Sequence, residues 1–481
     1  MLCISTRNID FSKILRIAKQ NLSKAQLIEV GYKSVTEEIF PQLKQFVKQS
    51  PLPLILKPLS ETTKDDYIKT LLSMAQVNSE YIDLEVGNFL SKQESLELAV
   101  QIKRLHPRLK IIFSYHDFNN FSSNLDTLYK SLLHPAIHFY KIAVHVSTSI
   151  EALRILNYSK DKKDLITIGL GESGHITRIL GRVINNPITY CCLDESLPIA
   201  PGQLSLNRLL KTYHFNTTSD QTSVYCLIGN PVNRSVSHIT HNEFFRKKNI
   251  DAVYVKLNIS KQELPLFLQE AVKLPFKGIS ITTPLKIELM RFIPSENHHS
   301  LNTLKFENNR FYATNTDGIG VLKSLQKAIS TENKSVAVIG GSGGSGLAVI
   351  KKLLENQAII TVIGRKKPPI NHFLSSFDFQ YFQKIPLCRP YDILINCTPI
   401  DFSVPNNMLK PTSIVLDLKT IPKTTLFLKN AVKANCKIIY GTSVFTNQAI
   451  EQFKFWQLPI RKFEAQFEQI VQNAVSSRKM T

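Results

Sequence analysis

The sequence predicts an α/β fold with at least two domains, and three observations support this expectation. The chain has 481 residues, of which 43% are hydrophobic, and it exceeds the about 250–300 residues at which a single core stops growing. Strand-length apolar runs alternate with helical patterns in its first part. In its second part, a glycine-rich turn joins a strand to a helix. Both parts are therefore expected to be built on parallel sheets.

Composition disfavours several classes of protein. The longest apolar runs, such as DLITIGL, are far shorter than the about 18 residues of a membrane span, and the N-terminus has no apolar segment typical of a secretory signal. Seven cysteines without a CxxC pair predict free thiols and no metal site. The basic residues behind the net charge of +21 are dispersed, and anionic small substrates or a lysine-rich proteome explain that charge as well as nucleic acid does. We expect a soluble, cytoplasmic protein that binds neither nucleic acid nor membrane.

Seven strand-like runs occupy the first 210 residues: LIEV, LPLILK, YIDLEV, KIIFSYH, FYKIAVHV, LITIGL and ITYCCL. With the helical patterns between them, they predict seven or eight βα units and hence a (β/α)₈ barrel over residues 1–210. The active site of such a barrel lies where the strands end, so polar residues at those ends are candidates. Residues 211–223 are polar, lack apolar periodicity and are expected to form a linker.

A second α/β series begins at Val224 and divides into two lobes. Residues 326–441 contain a strand, a glycine turn, a helix and a second strand, which is the pattern of a Rossmann-like nucleotide lobe. Residues 224–325, together with residues 442–481, are expected to form a substrate-binding lobe. The second half is therefore predicted to be a two-lobed dehydrogenase.

The glycine turn GGSGGSG has the spacing of a dinucleotide fingerprint at Gly341, Gly343 and Gly346. Glycines there allow backbone amides to approach a pyrophosphate at the start of a helix. The other turn residues predicted to contact the cofactor are Ser342, Gly344 and Ser345. A merely tight turn between strand and helix is the alternative.

The strand after the turn ends in Gly364, Arg365 and Lys366, with Lys367 following, and no acidic residue stands there to bind the ribose 2′-hydroxyl of NAD. A cation at this place suits a 2′-phosphate, so NADP is the predicted cofactor. Solvated basic residues in a loop are the alternative interpretation.

Chemistry-bearing residues follow one another along the substrate lobe. Ser235 and Ser237 precede a helical pattern, where hydroxyls and free amides can bind a carboxylate, although plain N-capping is common. Downstream come GISITTPLK, ending in Lys286, then Asn302 in LNTL and Asp317 in ATNTDGIG. In order, spacing and chemistry, the chain from Val224 to its C-terminus resembles the shikimate dehydrogenase family.

That resemblance implies a role for each motif residue. Ser235 and Ser237 hold the shikimate carboxylate, and Lys286 and Asp317 form the catalytic pair, in which a lysine polarised by a carboxylate exchanges a proton. Thr282, Lys286, Asn302, Asp317 and Gln448 surround the ring hydroxyls, and Asn396, Thr398 and Gly441 border the nicotinamide. One departure is Thr420, which stands where the family commonly has tyrosine. A structural ion pair between Lys286 and Asp317 is the alternative.

Two residues carry the chemistry of the barrel. Lys141 lies within the apolar strand HFYKIAVHV, where desolvation would lower its pKa and leave a nucleophilic amine able to form an imine. His116 ends the strand KIIFSYHDF, close enough in a barrel to act as general acid and base. Each residue alone would more often be structural, as a snorkelling lysine or a core histidine.

Together with TIGLGESGHITRILG and APGQLS, these strands resemble the type I 3-dehydroquinate dehydratases over most of residues 1–210. The resemblance implies that Lys141 forms a Schiff base with the substrate ketone and that His116 is the acid and base. It also implies that Arg178 pairs with the carboxylate and Gln203 contacts a hydroxyl. No added cofactor is implied for the barrel.

The barrel departs from its family at three places. The EWR strand reads EVG, which keeps Glu29 but places Gly31 where arginine is expected. A second arginine and its EGG turn are replaced by LKPLSETTKDD, in which Lys57 or Lys64 could restore positive charge. Ile199 stands in place of the serine before APGQ. These changes predict an active dehydratase with altered substrate binding.

The two resemblances together predict a bifunctional enzyme of the shikimate pathway, in aromatic amino acid biosynthesis. The barrel would dehydrate 3-dehydroquinate to 3-dehydroshikimate, which the second half would reduce to shikimate with NADPH. One alternative is a quinate or shikimate dehydrogenase with an inactive barrel, and another is a non-catalytic regulatory protein built on the same folds. The sequence does not fix the oligomeric state, and a homodimer stays open.

Overall fold

The computed structural model describes residues 1–477 except residues 9, 60–62, 122–123, 197, 367–372 and 384–389. The chain divides into two compact units. The first comprises residues 1–223, 251–257 and 266–275, and the second comprises residues 224–250, 258–265 and those from 276 onward. The predicted division into a barrel, a linker and two lobes stays a prediction.

The first unit contains a parallel sheet of eight strands that curls into a nearly closed barrel. Its strands are β1 (Leu2–Arg7), β2 (Leu27–Tyr32), β3 (Leu54–Pro58), β4 (Tyr81–Val86), β5 (Lys110–Asp117), β6 (Phe139–His145), β7 (Leu165–Leu170) and β8 (Thr189–Cys191). They are hydrogen-bonded in the order β7-β6-β5-β4-β3-β2-β1-β8. This order confirms the predicted (β/α)₈ barrel.

Helices follow the barrel strands in sequence. Within the described residues they are α1 (Phe11–Gln20), α2 (Ile39–Gln49), α3 (Lys64–Ala75), α4 (Lys92–Leu105), α5 (Leu125–Leu132), α6 (Ser149–Ser159), α7 (His175–Ile179) and α8 (Leu206–Lys211). Capping boxes begin α4, at Ser91 and Glu94, and α6, at Thr148 and Glu151. Because helices cover the outside and side chains fill the inside, strands such as β4 and β7 are buried along their whole length.

Two features of the first unit add to what the sequence predicts. β1 was not among the predicted strands, because Ser5 and Thr6 interrupt its short apolar run, yet both are buried in the barrel. Residues 211–223, predicted as a linker, lie within the first unit. Their aromatic side chains Tyr213 and Phe215 are buried, so this segment packs as part of the unit's core.

From residue 223 onward the chain forms further strands and helices. In chain order they are β9 (Ser223–Gly229), α9 (Ser237–Lys247), β10 (Ala252–Asn258), α10 (Leu264–Ala271), β11 (Phe276–Ile281), α11 (Leu285–Glu288), β12 (Thr303–Glu307), β13 (Arg310–Thr314), α12 (Asp317–Gln326), β14 (Ser335–Ile339), α13 (Gly344–Leu354), β15 (Ile359–Gly364), β16 (Asp378–Tyr381), β17 (Ile393–Asn396), β18 (Ile414–Asp417), α14 (Leu426–Lys433), β19 (Lys437–Ile439), α15 (Gly441–Phe455) and α16 (Glu464–Ser477). None of the described helices is long and apolar enough to cross a membrane.

Two sheets organise the second unit. Strands β9, β11, β12 and β13 are neighbours in that order, with β9 and β11 parallel and the other pairs antiparallel. The other sheet is parallel and runs β16-β15-β14-β17-β18-β19, which is the doubly wound order 3-2-1-4-5-6. Successive residues of β14 point to opposite faces of the sheet, and Val338 and Ile339 enter two separate buried clusters. Both faces of this sheet are therefore covered. The Rossmann-like prediction is confirmed, and the order reverses between β14 and β17, where dinucleotides bind in this fold.

Candidate active sites

A cavity of about 140 Å³ lies in the barrel, where residues near the ends of the strands meet. Six barrel residues that the sequence predicts for catalysis or substrate contact line it: Glu29, Lys57, His116, Lys141, Arg178 and Gln203. They come from β2, β3, β5, β6, α7 and the segment after β8. The fold thus brings residues more than 170 positions apart in the sequence to one site.

Lys141 lies on β6 with its side chain 4% exposed, and its ammonium group is held between two carboxylates. It donates to Asp83 of β4 and lies 3.5 Å from Glu29 Oε2. Its Nζ also lies 4.8 Å from the centroid of the Tyr190 ring, within cation–π distance. Of these two carboxylates, Glu29 was singled out from the sequence and Asp83 was not.

Asp83 is fully buried and accepts a hydrogen bond from Ser114 Oγ at 2.5 Å. Burial alone would raise the pKa of its carboxyl, but the charges of Lys141 and Lys57 outweigh burial and lower that pKa. Asp83 therefore presents a carboxylate to the head group of Lys141.

His116 lies at the end of β5 between a cation and an anion. Its Nε2 is 3.5 Å from Lys57 Nζ, and its Nδ1 is 3.4 Å from Glu85 Oε1. Lys57 and Glu85 are themselves an ion pair at 3.3 Å. Burial and then the charge of Lys57 lower the pKa of His116, while Glu85 acts against them. The imidazole is therefore held neutral near neutral pH and can accept a proton.

Arg178 and Gln203 are fixed by backbone and side-chain hydrogen bonds. Arg178 is buried, donates to the Gly169 carbonyl at 2.8 Å, and has a pKa lowered to about 10 by that burial. Gln203 donates to Ser5 Oγ at 3.2 Å and accepts from the Ile199 amide at 3.0 Å. Their positions at the cavity wall are thus set before any substrate enters.

The departures from the family pattern have distinct consequences. Lys57 is in the cavity, whereas Lys64 begins α3 at the surface and pairs with Glu94 at 2.6 Å. Of these two lysines, only Lys57 is placed to restore charge to the cavity. Gly31 also lines the cavity, and a Cβ added there would lie 2.8 Å from Leu59 Cδ2.

Sequence reasoning missed the two acidic partners on β4. Asp83 and Glu85 alternate within the apolar strand YIDLEV, so both point to the same side of the sheet. Two carboxylates on one face of a buried strand need cationic partners. That pattern is the signal that could have identified them beside Lys141 and Lys57.

A second cavity, of about 360 Å³, lies in the second unit. It is lined by all seven residues predicted for substrate: Ser235, Ser237, Thr282, Lys286, Asn302, Asp317 and Gln448. Thr420, the departure from the family tyrosine, lines it as well, together with the unpredicted Lys419 and Gln452. Gln452 is held by hydrogen bonds to Ser280 and Thr303, so it supports the wall from the buried side.

Lys286 and Asp317 form an ion pair in this cavity, with side chains about one-tenth exposed. Lys286 also donates to Ser345 Oγ at 2.9 Å, and Asn302 donates to the other Asp317 oxygen at 2.7 Å. Asn302 is in turn fixed by the Thr316 amide, which donates to its Oδ1 at 2.8 Å. The network holds the lysine head in one place and gives each oxygen of its partner carboxylate a hydrogen-bond donor.

Ser235 and Ser237 present adjacent hydroxyls at the start of α9, with their Oγ atoms 2.7 Å apart. The N-cap residue is Val236, which makes no side-chain cap bond. Plain N-capping by serine therefore does not describe this helix start, although the Ser237 amide donates to Ser235 Oγ at 3.2 Å.

The glycine turn follows β14, and α13 begins at Gly344 with Gly343 as its N-cap. Gly340 has φ +78°, and a Cβ on Gly340 would lie 2.6 Å from Thr398 Cγ2. No side chain caps α13, so its first amides are available to an anion. The turn and helix start fit a dinucleotide pyrophosphate.

The residues predicted to border the nicotinamide lie on other elements of the second unit. Gly441 begins α15. Asn396 ends β17, and its side chain accepts a hydrogen bond from the Thr398 amide at 3.0 Å.

The cations predicted to select the cofactor follow β15. Gly364 is the last residue of that strand, and Arg365 and Lys366 after it are exposed. Lys367 lies outside the described residues. Both described cations thus stand at the carboxyl end of the strand next to the glycine turn, where a ribose phosphate would be recognised.

Comparisons with known proteins match each part of the chain to a protein family. The family model of type I 3-dehydroquinase matches residues 3–220, and that of the shikimate dehydrogenase substrate-binding domain matches residues 227–303. The chain is 31% identical over 467 residues to the shikimate biosynthesis protein AroDE of Chlamydia muridarum, covering 95% of this chain and 94% of that protein.

Of two further relatives, one matches most of the chain and the other matches half of it. The bifunctional 3-dehydroquinate dehydratase/shikimate dehydrogenase of Arabidopsis thaliana is 26% identical to this chain over 495 residues. The match covers 93% of this chain and 80% of that protein. The shikimate dehydrogenase (NADP(+)) of Methanococcus aeolicus is 30% identical over 259 residues, which is 50% of this chain and 93% of that protein.

Proposed function

The chain belongs to the family of bifunctional proteins that join a type I 3-dehydroquinase to a shikimate dehydrogenase, and from this premise we propose how its two sites act. The barrel dehydrates 3-dehydroquinate through an imine on Lys141, and the second unit reduces 3-dehydroshikimate with NADPH. The observation that carries the proposal is the buried Lys141 between Asp83 and Glu29, in the same cavity as His116. The proposed compartment is the cytoplasm, as the sequence predicts.

The first step in the barrel is the attack of the Lys141 amine on the substrate ketone. The Lys141 ammonium gives one proton to the neutral His116, and the free amine adds to the ketone. His116 returns that proton as the ketone oxygen leaves as water, and the protonated imine that results draws electrons from the neighbouring carbon. Asp83 and Glu29 stand beside that nitrogen and stabilise its positive charge throughout. Arg178 supplies a buried cation for the carboxylate of the substrate.

His116 then takes the proton from the carbon next to the imine. The electron pair left on that carbon forms the ring double bond as the hydroxyl on the adjacent carbon departs, and His116 returns its proton to make that hydroxyl leave as water. Hydrolysis of the imine releases 3-dehydroshikimate and restores Lys141. The lowered pKa of His116 supports this role, because the imidazole must be neutral to accept the first proton.

In the second unit, the keto oxygen of 3-dehydroshikimate is proposed to meet the Lys286 ammonium. Lys286 donates a proton to that oxygen, and Asp317 and Ser345 keep its head group oriented towards the cavity. Ser235 and Ser237 bind the substrate carboxylate through their paired hydroxyls. Thr282, Asn302 and Gln448 meet the ring hydroxyls from the cavity wall.

NADPH is the proposed reductant and supplies a hydride to the substrate carbon when it is bound. The turn from Gly341 to Ser345 and the start of α13 would hold its pyrophosphate, and Arg365 and Lys366 its 2′-phosphate. Asn396, Thr398 and Gly441 would border its nicotinamide. The NADP(+) dependence in the name of the Methanococcus aeolicus relative supports this choice.

The imine is tested by adding borohydride to the protein turning over 3-dehydroquinate and mapping the added mass by peptide mass spectrometry. Borohydride reduces an imine to a stable amine, so mass is expected on the peptide that contains Lys141. Lys141→Met should abolish both trapping and dehydratase turnover, while Lys64→Met, which changes an exposed lysine, should leave both intact. Turnover with an unmodified Lys141 peptide would overturn the imine.

A further inference from the structure

Tyr190 brings a buried phenol ring to the barrel cavity, and the mechanism proposed above gives that ring no role. Tyr190 is the middle residue of β8, is 4% exposed and lines the same cavity as Lys141 and Glu29. The Nζ atom of Lys141 lies 4.8 Å from the centroid of the Tyr190 ring. The ring therefore stands beside the atom that, on the proposed function, bonds to the substrate.

The hydroxyl of Tyr190 is buried and has no hydrogen-bond partner among the residues that the structure describes. Leaving a buried hydroxyl unpaired costs free energy, so most buried polar groups in proteins are paired. Burial, and after it the charge of Glu29, raise the pKa of Tyr190. The hydroxyl therefore keeps its proton and is a hydrogen-bond donor that an oxygen atom of a ligand can satisfy.

Other buried polar atoms without a hydrogen bond belong to side chains that line the same cavity. Within the described part of the chain they include Arg178 Nε and Glu29 Oε2. Both of these residues already act on the substrate in the proposed mechanism, Arg178 on its carboxylate and Glu29 on the charge of the imine nitrogen. The hydrogen bonds that these side chains do not make within the protein are therefore ones that a substrate can supply, and Tyr190 belongs to the same group.

We propose that Tyr190 is a catalytic residue of the dehydratase, whose hydroxyl donates a hydrogen bond to the ketone oxygen of the substrate while Lys141 attacks the ketone carbon. That oxygen is bonded to the carbon that Nζ attacks, so it enters the space beside the Tyr190 ring. It gains negative charge as the amine adds, because the electron pair of the carbon–oxygen double bond moves onto it.

The phenol keeps its own proton throughout this step. The two protons with which the oxygen leaves as water come from the amine nitrogen and from His116. The same hydrogen bond acts in reverse when water adds to the imine and the product is released. The inference rests on the proposed dehydratase function and adds a donor for the ketone oxygen to it.

The test compares Tyr190→Phe with the unaltered full-length protein by quenching with borohydride at set times after mixing with 3-dehydroquinate. Tyr190→Phe removes only the hydroxyl, so mass should still be trapped on the Lys141 peptide. The rate at which the trapped imine appears, and dehydratase kcat/KM with it, should fall about tenfold or more, as expected for loss of a donor to a developing negative charge. Tyr158→Phe removes a hydroxyl that donates to Asp126 at 3.2 Å between two outer helices and should change neither quantity.

Urea unfolding of the same proteins tests the unpaired state of the hydroxyl. Tyr190→Phe should unfold at the same or a higher urea concentration than the unaltered protein, because no hydrogen bond within the protein is lost. An unchanged rate of imine trapping in Tyr190→Phe, or unfolding at lower urea, would overturn the inference and leave the Lys141 imine intact. Absence of a trapped imine in the unaltered protein would instead refute the proposed function itself.

Discussion

The buried side chain of His241 should make the free energy of unfolding of the second unit sensitive to acid. It lies on α9, is 1% exposed, and sits among aromatic rings of α15 and α16, with its ring centroid 4.7 Å from that of Phe453 and 5.9 Å from that of Phe467. Burial lowers the pKa of His241 to about 3. α9 also presents Ser237 to the cavity, so this packing positions a residue of the proposed substrate site.

The direction of this pH effect on stability follows from the pKa of His241 in the unfolded chain and in the folded protein. In the unfolded chain His241 takes up a proton near pH 6.5, whereas in the folded protein it stays neutral until about pH 3. Its contribution to stability is complete above pH 6.5 and is lost progressively as the pH falls towards 3. One pKa unit is worth about 1.4 kcal/mol, so lowering the pH from 7.5 to 5.0 should cost about 2 kcal/mol through this group.

The perturbation is His241→Phe, which keeps an aromatic ring in the cluster and removes the titration. The assay is urea unfolding at pH 7.5 and 5.0, followed by fluorescence of Trp456, the single tryptophan of the chain, whose ring lies 6.4 Å from that of His241. The unaltered protein should lose about 2 kcal/mol more of its free energy of unfolding than His241→Phe does. Replacing exposed His299 by phenylalanine should preserve the full loss. Equal losses in the unaltered protein and His241→Phe would refute the reasoning.

Three further predictions concern the two sites. Lys57→Met removes a charge that lowers the pKa of His116, so the acid limb of dehydratase kcat/KM should move to higher pH, and an unmoved limb would contradict the arrangement. Asn302→Ala removes a hydrogen bond to Asp317 and should lower dehydrogenase kcat/KM by about 10–100-fold, while unchanged dehydratase turnover serves as the control. Arg365→Ser should reduce the ratio of kcat/KM for NADPH to that for NADH by about tenfold or more, and a constant ratio would exclude a role in binding the 2′-phosphate.

The sequence was sufficient to predict both folds and the candidates at both sites. The glycine turn has a fixed spacing and a required context of strand and helix, and it predicts a fold that the strand order confirms. Lys141 stood out because a lysine in an apolar strand is unusual, and the barrel fold places strand ends together whatever the loops contain.

What the sequence did not reveal depends on register between distant strands. The pairing of Asp83 with Lys141 joins β4 to β6, and the contact between Lys57 and His116 joins β3 to β5. Neither relation is visible before the strands are aligned. The burial of His241 is likewise hidden, because the helix pattern SHITHNEFF appears polar until α15 and α16 pack against it.

The most direct test of the central claim is NADPH oxidation by the purified protein given 3-dehydroquinate alone and, in parallel, 3-dehydroshikimate alone. Two active sites in one chain predict oxidation from both compounds, with Lys141→Met losing only the oxidation that starts from 3-dehydroquinate. Oxidation from 3-dehydroshikimate alone would contradict the account, because it would mean that the barrel cavity, despite its lysine, histidine and carboxylates, does not dehydrate the substrate.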